Sequence, residues 1–320
     1  MSQLYRLNAL QNELRDVLSL SLSDYRLEVQ ENDVRANFIG LQLRSVFQPI
    51  FNLATNALLG YEALLRAFDL EGNAIAPPIA FKQAEVAEKL VKFDRLCRTL
   101  HTLNYLNMGP SKELLFLNVH PELLVAVNSH GKIFERVLHN HSFPTDKVVI
   151  EINESAVSQD NLLNDAIANY RERGYKIAID DFGKEHSNIN RLCKFSPDYV
   201  KLDTSIIHLA EHNNRMQRIL LKLVEIISEL GAEVIIEGIE TQSQLELAQH
   251  AGVRLVQGYF IGRPAPALSW EQVDLTLRVA ARIRTGTHCY TSSKIFNQAV
   301  PSVNCASEPE VSLQCIFECS

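Results

Sequence analysis

From about residue 44 the chain alternates short apolar runs with longer stretches whose apolar residues recur every three to four positions. The first kind reads as strand and the second as amphipathic helix. The runs are VFQPIFNL (46–53), LLGYEALLR (58–66), LLFLNV (114–119), KVVIEI (147–152), KIAIDDF (176–182), YVKLD (199–203), EVIIEGI (233–239) and VQGYFIG (256–262). Only ATNA separates the first two, a spacing that favours a hairpin and so an antiparallel first pair. Helix boundaries are marked as well. SQDNLLNDAIANYRERG has Ser158 and Asp160 as cap candidates and closes at Gly174. NNRMQRILLKLVEIISELG sets Ile219, Leu223, Ile226, Ile227 and Leu230 on one stripe and ends at Gly231. Thr241 with Gln244 fits a capping box before LELAQHAG.

Alternating strands and helices of this length predict a mainly parallel sheet. Eight of them predict an α/β fold, a TIM-like (β/α)8 barrel with an antiparallel first strand, over residues 41–284. An open doubly wound sheet is the competing architecture, weakened because no strand is followed by a G-x-G-x-x-G turn. Residues 1–40 place Leu7, Leu10, Leu14, Val17 and Leu18 at helical spacing, which predicts a helical preamble packed on the barrel or coupled to a partner. From 285 to 320 the rhythm stops in a polar, Ser-rich, irregular tail.

Length and charge narrow the picture. The 320 residues, 46% apolar and 22% charged, suffice for one barrel of roughly 250 residues with short appendages. A net charge of −7 argues against gripping a nucleic-acid polymer through bulk positive charge, so an anionic substrate would need metal ions or a few placed cations. No apolar run approaches the roughly 20 residues that span a bilayer. MSQLYRLNALQNELRD lacks a signal-peptide core, and a cytoplasmic location is expected. Cys97 and Cys193 read as small buried hydrophobes; Cys289, Cys305, Cys315 and Cys319 show no CxxC spacing that would favour zinc.

The candidate chemistry lies along the predicted strands. Glu62 falls in the second, Asn118 near the end of the third, Glu151 and Glu154 at the end of the fourth, and Asp180 and Asp181 close the fifth. Lys201 falls in the sixth, Glu237 in the seventh, and Gln257 opens the eighth. In a barrel the C-terminal strand ends converge on one face, where active sites sit. Any one of these residues alone is ordinarily paired or solvated; their joint placement is the signal. Crowded carboxylates raise one another's pKa, and protonation or divalent cations relieve the crowding. Carboxylates with one amide carbonyl suit Mg2+ or Mn2+, and the lack of His and Cys argues against zinc.

FQPI (47–50), YEALLR (61–66), FLNV (116–119), EINES (151–155), IDDFG (179–183), VKLD (200–203), IEGIE (236–240) and QGYFIGRP (257–264) together resemble the EAL family of cyclic di-GMP phosphodiesterases. The likeness runs in order from about 44 to 268. It implies metal-dependent opening of one phosphodiester of cyclic di-GMP to linear pGpG, with two ions expected. It also implies that Glu62, Asn118, Glu151 and Asp180 hold one cation, and that Asp180, Asp181 and Glu237 hold the second. Lys201 resembles the lysine that holds the attacking water, so that Lys201, Glu237 and Glu62 form the catalytic set. Gln48, Arg66 and Gln257 match substrate contacts, Arg66 against a phosphate, and Glu154 matches the acid that steadies the loop after the fifth strand. The family commonly pairs barrels, so a homodimer is expected. The tail from 285 resembles the start of a truncated CBS module.

Two departures matter. After IDDFG the family usually continues Thr-Gly-Tyr-Ser, whereas this chain has Lys184-Glu185-His186-Ser187-Asn188. Glu resists backbone angles that Gly allows, which leaves a cyclic di-GMP receptor without turnover as the alternative function. Ile236 replaces a small residue, a packing change. A barrel glycosidase would need only two carboxylates, leaving Asn118, Lys201 and the surplus acids unexplained. His120 reads as a hydrogen-bonding residue, and His208 with His212 lacks a third partner.

Overall fold

A computed structural model of the chain describes residues 25–30, 33–109, 113–126, 131–153, 160–184, 188–270, 273–277 and 279. All eight expected strands are present. They are β3 (Leu41–Asn52), β4 (Ala57–Phe68), β6 (Leu114–Asn118), β7 (Val148–Asn153), β8 (Lys176–Phe182), β9 (Tyr199–Leu202), β10 (Glu233–Ile236) and β11 (Leu255–Gln257). Neighbours from β4 through β11 pair in parallel. β3 is antiparallel to both β4 and β11 and closes the ring between them. The antiparallel first strand is therefore as expected, set by the short turn after Asn52.

Two further pieces extend this sheet. β5 (Ala74–Ile75) hangs on β4, and a hairpin of β1 (Tyr25–Gln30) and β2 (Asp33–Phe38) continues from β3. The hairpin corrects the expected helical preamble over 25–38. Val34, Ala36 and Phe38 are buried while Asp33, Arg35 and Asn37 are not, the period of two that belongs to a strand. Leu7 to Leu18, on which the helix was read, and the tail from 285 lie outside the described residues.

Helices pack around the ring: α1 (Pro77–Val86), α2 (Leu90–Leu106), α3 (Pro121–Ala126), α4 (Lys132–Asn140), α5 (Asp160–Glu172), α6 (Ile189–Phe195), α7 (Thr204–Glu211), α8 (Asn214–Glu229) and α9 (Gln242–His250). The capping box at Thr241 and Gln244 forms as expected. The stripe on α8 is shifted: Leu220, Val224 and Ile227 are buried, whereas Ile219 and Ile226 face outward. A helix repeating every 3.6 residues with apolar residues on more than one side leaves the stripe ambiguous in sequence, and the contact with the sheet decides it. Cys97 is buried as expected; Cys193 is exposed, a correction. α2 also clasps the hairpin, since the Asn104 amide accepts from the Val34 N–H and donates to the Val34 carbonyl, both at 2.8 Å.

Two apolar layers result. A large core fills the space between strands and helices. A smaller cluster fills the barrel lumen, with Ile50, Leu114, Phe116, Val149, Ala178, Tyr199, Ile235 and Leu255 drawn from seven of the eight strands. This inner cluster is the floor on which the site stands.

Candidate active site

Side chains alternate across a strand, so the residue two positions past a lumen-facing one faces the lumen again. Applied to the floor, this rule carries Phe116 to Asn118, Val149 to Glu151, Ala178 to Asp180, Tyr199 to Lys201, Ile235 to Glu237 and Leu255 to Gln257. Glu62 on β4 stands level with Gln48 on β3, its direct ladder partner. One layer above an apolar floor, polar side chains of separate strands therefore converge.

Lys201 lies at the centre, 1% exposed. Its Nζ is 2.7 Å from Glu151 Oε1, 2.9 Å from Glu237 Oε1, 3.1 Å from Asp180 Oδ1 and 3.2 Å from Glu62 Oε2. Asn118 Nδ2 donates to Glu62 Oε1 at 3.1 Å and to Glu151 Oε2 at 2.9 Å. Gln257 Nε2 donates to Glu62 Oε2 at 2.7 Å. Beside this group, Asp181 Oδ2 accepts from Asn153 Nδ2 at 2.8 Å and lies 3.6 Å from Lys184 Nζ. The β8–β9 register shifts between Ile179 and Phe182, and Asp181 takes a positive φ of 57°, which Asp tolerates better than most residues.

One ammonium faces four carboxylates, and the electrostatics show the imbalance. Burial pushes the Glu151 carboxyl well up, with Glu62 adding to the effect against Lys201. Burial pushes Glu237 up to about 8, with Lys201 opposing and Asp180 and Glu62 adding. Burial and then Asp180 raise Asp181. Burial alone would lower Lys201, but Asp180, Glu151, Glu237 and Glu62 outweigh it and hold the ammonium well above its usual range. Lys201 is a standing positive charge in this setting, not a ready proton donor.

Glu151 Oε1, Asp180 Oδ1 and Gln257 Oε1 are buried and accept no hydrogen bond. The first two meet Lys201 at ion-pair distance but off the hydrogen-bond direction. Among the described residues, no three His, Cys, Asp or Glu side chains already stand as a metal cage; the acids close on Lys201 instead. The donor set nonetheless fits a hard divalent cation: carboxylate and amide oxygens, a buried Gln257 Oε1 without a hydrogen-bond donor, and negative charge in excess of the one ammonium.

The structure thus brings together Glu62, Asn118, Glu151, Asp180, Lys201, Glu237 and Gln257, with Asp181 alongside. Gln48 and Arg66 hydrogen-bond to backbone carbonyls rather than to the acids. Gln48 Nε2 donates to the Gly262 carbonyl at 3.2 Å and Arg66 Nη1 to the Leu65 carbonyl at 2.9 Å. Burial lowers the Arg66 pKa, against the raising effects of Tyr259 and Glu62. Glu154 and the loop Glu185–Ser187 lie outside the described residues. Asn153 was missed in sequence, although it sits two residues past Glu151 on the same strand and pairs in register with Asp180. The His120 ring stacks on Phe81 with centroids 5.1 Å apart, and its buried Nδ1 has no hydrogen-bond partner among the described residues, a correction to the hydrogen-bonding role expected of that ring.

A family model described as EAL domain matches residues 31–264. The chain belongs to the EAL-domain family. Among relatives of this EAL chain, the uncharacterized EAL-domain protein YkuI of Bacillus subtilis is 30% identical over 226 residues, covering 68% of this chain and 54% of YkuI. The cyclic di-GMP phosphodiesterase RocR of Pseudomonas aeruginosa is 27% identical over 236 residues, covering 70% of this chain and 58% of RocR. This EAL chain therefore spans little more than half the length of either relative. The crystal structure of YkuI with cyclic di-GMP and calcium superposes with a TM-score of 0.63 at 26% identity, covering 76% of this chain and 60% of that one.

Proposed function

We propose that the chain hydrolyses one phosphodiester bond of cyclic di-GMP, giving linear pGpG, with divalent cations held among its barrel-mouth acids. The observation that carries this reading is the excess of carboxylate over cation around Lys201, with Glu62 and Glu151 buried and Asp180 and Glu237 partly exposed. RocR, named for this activity, and YkuI, solved with this ligand, support the choice of substrate.

Glu62, Asn118, Glu151 and Asp180 would hold one cation, and Asp180, Asp181 and Glu237 a second, Mg2+ or Mn2+ in each case. A divalent cation supplies charge neutralisation and a lowered water pKa in such a site. The chain's own residues do the rest. Asn118 and Gln257 orient Glu62 through their amide N–H groups. Lys201 adds a fixed positive charge where the attacking water and the phosphodiester oxygens meet, a preorganised form of electrostatic stabilisation. Arg66 takes a phosphate and Gln48 a polar edge of the ligand at the rim, and the apolar floor below keeps bulk water out from underneath. Glu154 would steady the loop after β8.

The reading extends to a cytoplasmic protein, supported by the lack, among the described residues, of any helix long and apolar enough to cross a membrane. It also includes a homodimer, which light scattering would test. A receptor without turnover is favoured by one observation: Lys184 places its own cation 3.6 Å from Asp181.

Incubating the full chain with cyclic di-GMP and Mn2+ or Mg2+ should release pGpG, and EDTA should stop it. Glu62→Ala should cut turnover roughly a hundredfold to a thousandfold with the fold retained. Binding of the dinucleotide without pGpG would establish the receptor instead, and full turnover by Glu62→Ala would defeat the assigned site.

A further inference from the structure

A second buried charge cluster lies outside the acid ring, one turn along α2. Asp94 and Arg98 are 1% and 4% exposed. Arg98 Nε and Nη2 donate to Asp94 Oδ2 at 2.8 and 2.5 Å, and the guanidinium lies over the Phe134 ring at 5.1 Å. That leaves Asp94 Oδ1. It accepts the backbone N–H of His120 at 3.1 Å, reaching out of the helix to the segment that leaves β6.

His120 stands two residues past Asn118, the amide that bridges Glu62 and Glu151. Beyond the end of β6 the chain is held by the Val119 N–H on the Glu151 carbonyl at 3.2 Å and then by the Asp94 contact. Asn118 has spent its N–H groups on the two acids, so its Oδ1 is the atom left for a cation. Asn118 is the last residue of β6, so the two residues that follow it bear on how it is held. We propose that Asp94 is a positioning residue for Asn118: by holding the His120 amide it sets how Asn118 presents itself to Glu62, Glu151 and the cation they would share. Arg98 holds the Asp94 carboxylate in the rotamer that makes this possible. The assignment rests on the metal-site reading given above.

The test separates positioning from mere stability. Asp94→Asn/Arg98→Met and Asp94→Leu/Arg98→Met both remove the two buried charges, a change that proteins often tolerate. They differ in one respect, because only the Asn keeps an acceptor for the His120 N–H. Mn2+ titration of the full chain, followed by electron paramagnetic resonance, reads the site without any turnover. Removing a group that orients a metal ligand typically costs tenfold or more in metal affinity. Thus Asp94→Leu/Arg98→Met should bind Mn2+ about tenfold more weakly than the unaltered chain. Asp94→Asn/Arg98→Met should stay within about twofold of it, and melting temperatures should not follow the same order. Equal Mn2+ affinity in the two variants, or affinity that tracks melting temperature alone, would overturn the assignment. If the unaltered chain binds no Mn2+, the metal reading falls, and this assignment falls with it.

Discussion

Arg98 and Lys201 are both buried cations, 4% and 1% exposed, yet their surroundings obey different rules. Arg98 meets one carboxylate, through two donors, and the charges cancel. Lys201 meets four, and one positive charge cannot cancel them. A balanced pair is a structural element, whereas an unbalanced one keeps a net negative charge out of water at a cost that a packed core would not carry. The comparison teaches where to look for a ligand: the cluster whose charges do not close within the chain.

The largest effect that would sharpen this contrast is on turnover. Lys201→Met should lower the rate of pGpG release roughly a hundredfold to a thousandfold while weakening cyclic di-GMP binding by less than tenfold. The opposite split, binding lost and turnover kept, would remove Lys201 from its proposed place beside the reacting phosphate.

Stability offers the next test. Arg98→Leu strands the Asp94 carboxylate in the core and should cost about 3–5 kcal/mol in urea unfolding, a loss that Mn2+ should not recover. Lys201→Met should also destabilise the chelated protein, but here saturating Mn2+ should recover most of the loss, since the acids have another counter-ion available. Equal recovery in both variants would dissolve the distinction between a structural pair and a cation site.

How much of this could be read in advance depends on the period involved. The strands were legible because their apolar runs are short and the lumen positions fall two apart, and the same spacing locates Glu151, Asp180 and Lys201 one layer above Val149, Ala178 and Tyr199. The hairpin at 25–38 was obscured by a helical spacing upstream, from Leu7 to Leu18, that says nothing about residues beyond it. The Asp94 contact was illegible for a different reason. An i, i+4 Asp–Arg pair is common on helix surfaces, and nothing local reveals that one oxygen turns to a backbone N–H 26 residues away. Likewise the site's reach to Asn153 and Lys184 depends on the β8 bulge, a tertiary feature.

The smallest expected effect is a pH slope, and it probes mainly the unbalanced cluster. Glu237 is pushed up to about 8 from 4.5, and burial raises Glu151 well above its usual range. A carboxyl that binds its proton more tightly when folded contributes stability that is complete below about 4.5 and is lost as pH rises through the folded value. Lys201 is raised too, but its contribution is complete below 10.5 and does not change near pH 8. His101, buried against Ser45 and pushed down to about 3 by burial, acts the other way, adding stability as pH climbs to 6.5. A window from about pH 7 to 8.5 therefore reads mainly the acids, with the buried Cys97 thiol, raised by burial, adding a smaller fall of the same sign at its upper end. In chelator, unfolding free energy should fall across it by on the order of 1 kcal/mol. With Mn2+ the fall should flatten, because the ionised carboxylates are then the favoured form. A chelated protein that grows more stable across the window would mean that the four carboxylates are already balanced, as Asp94 is by Arg98.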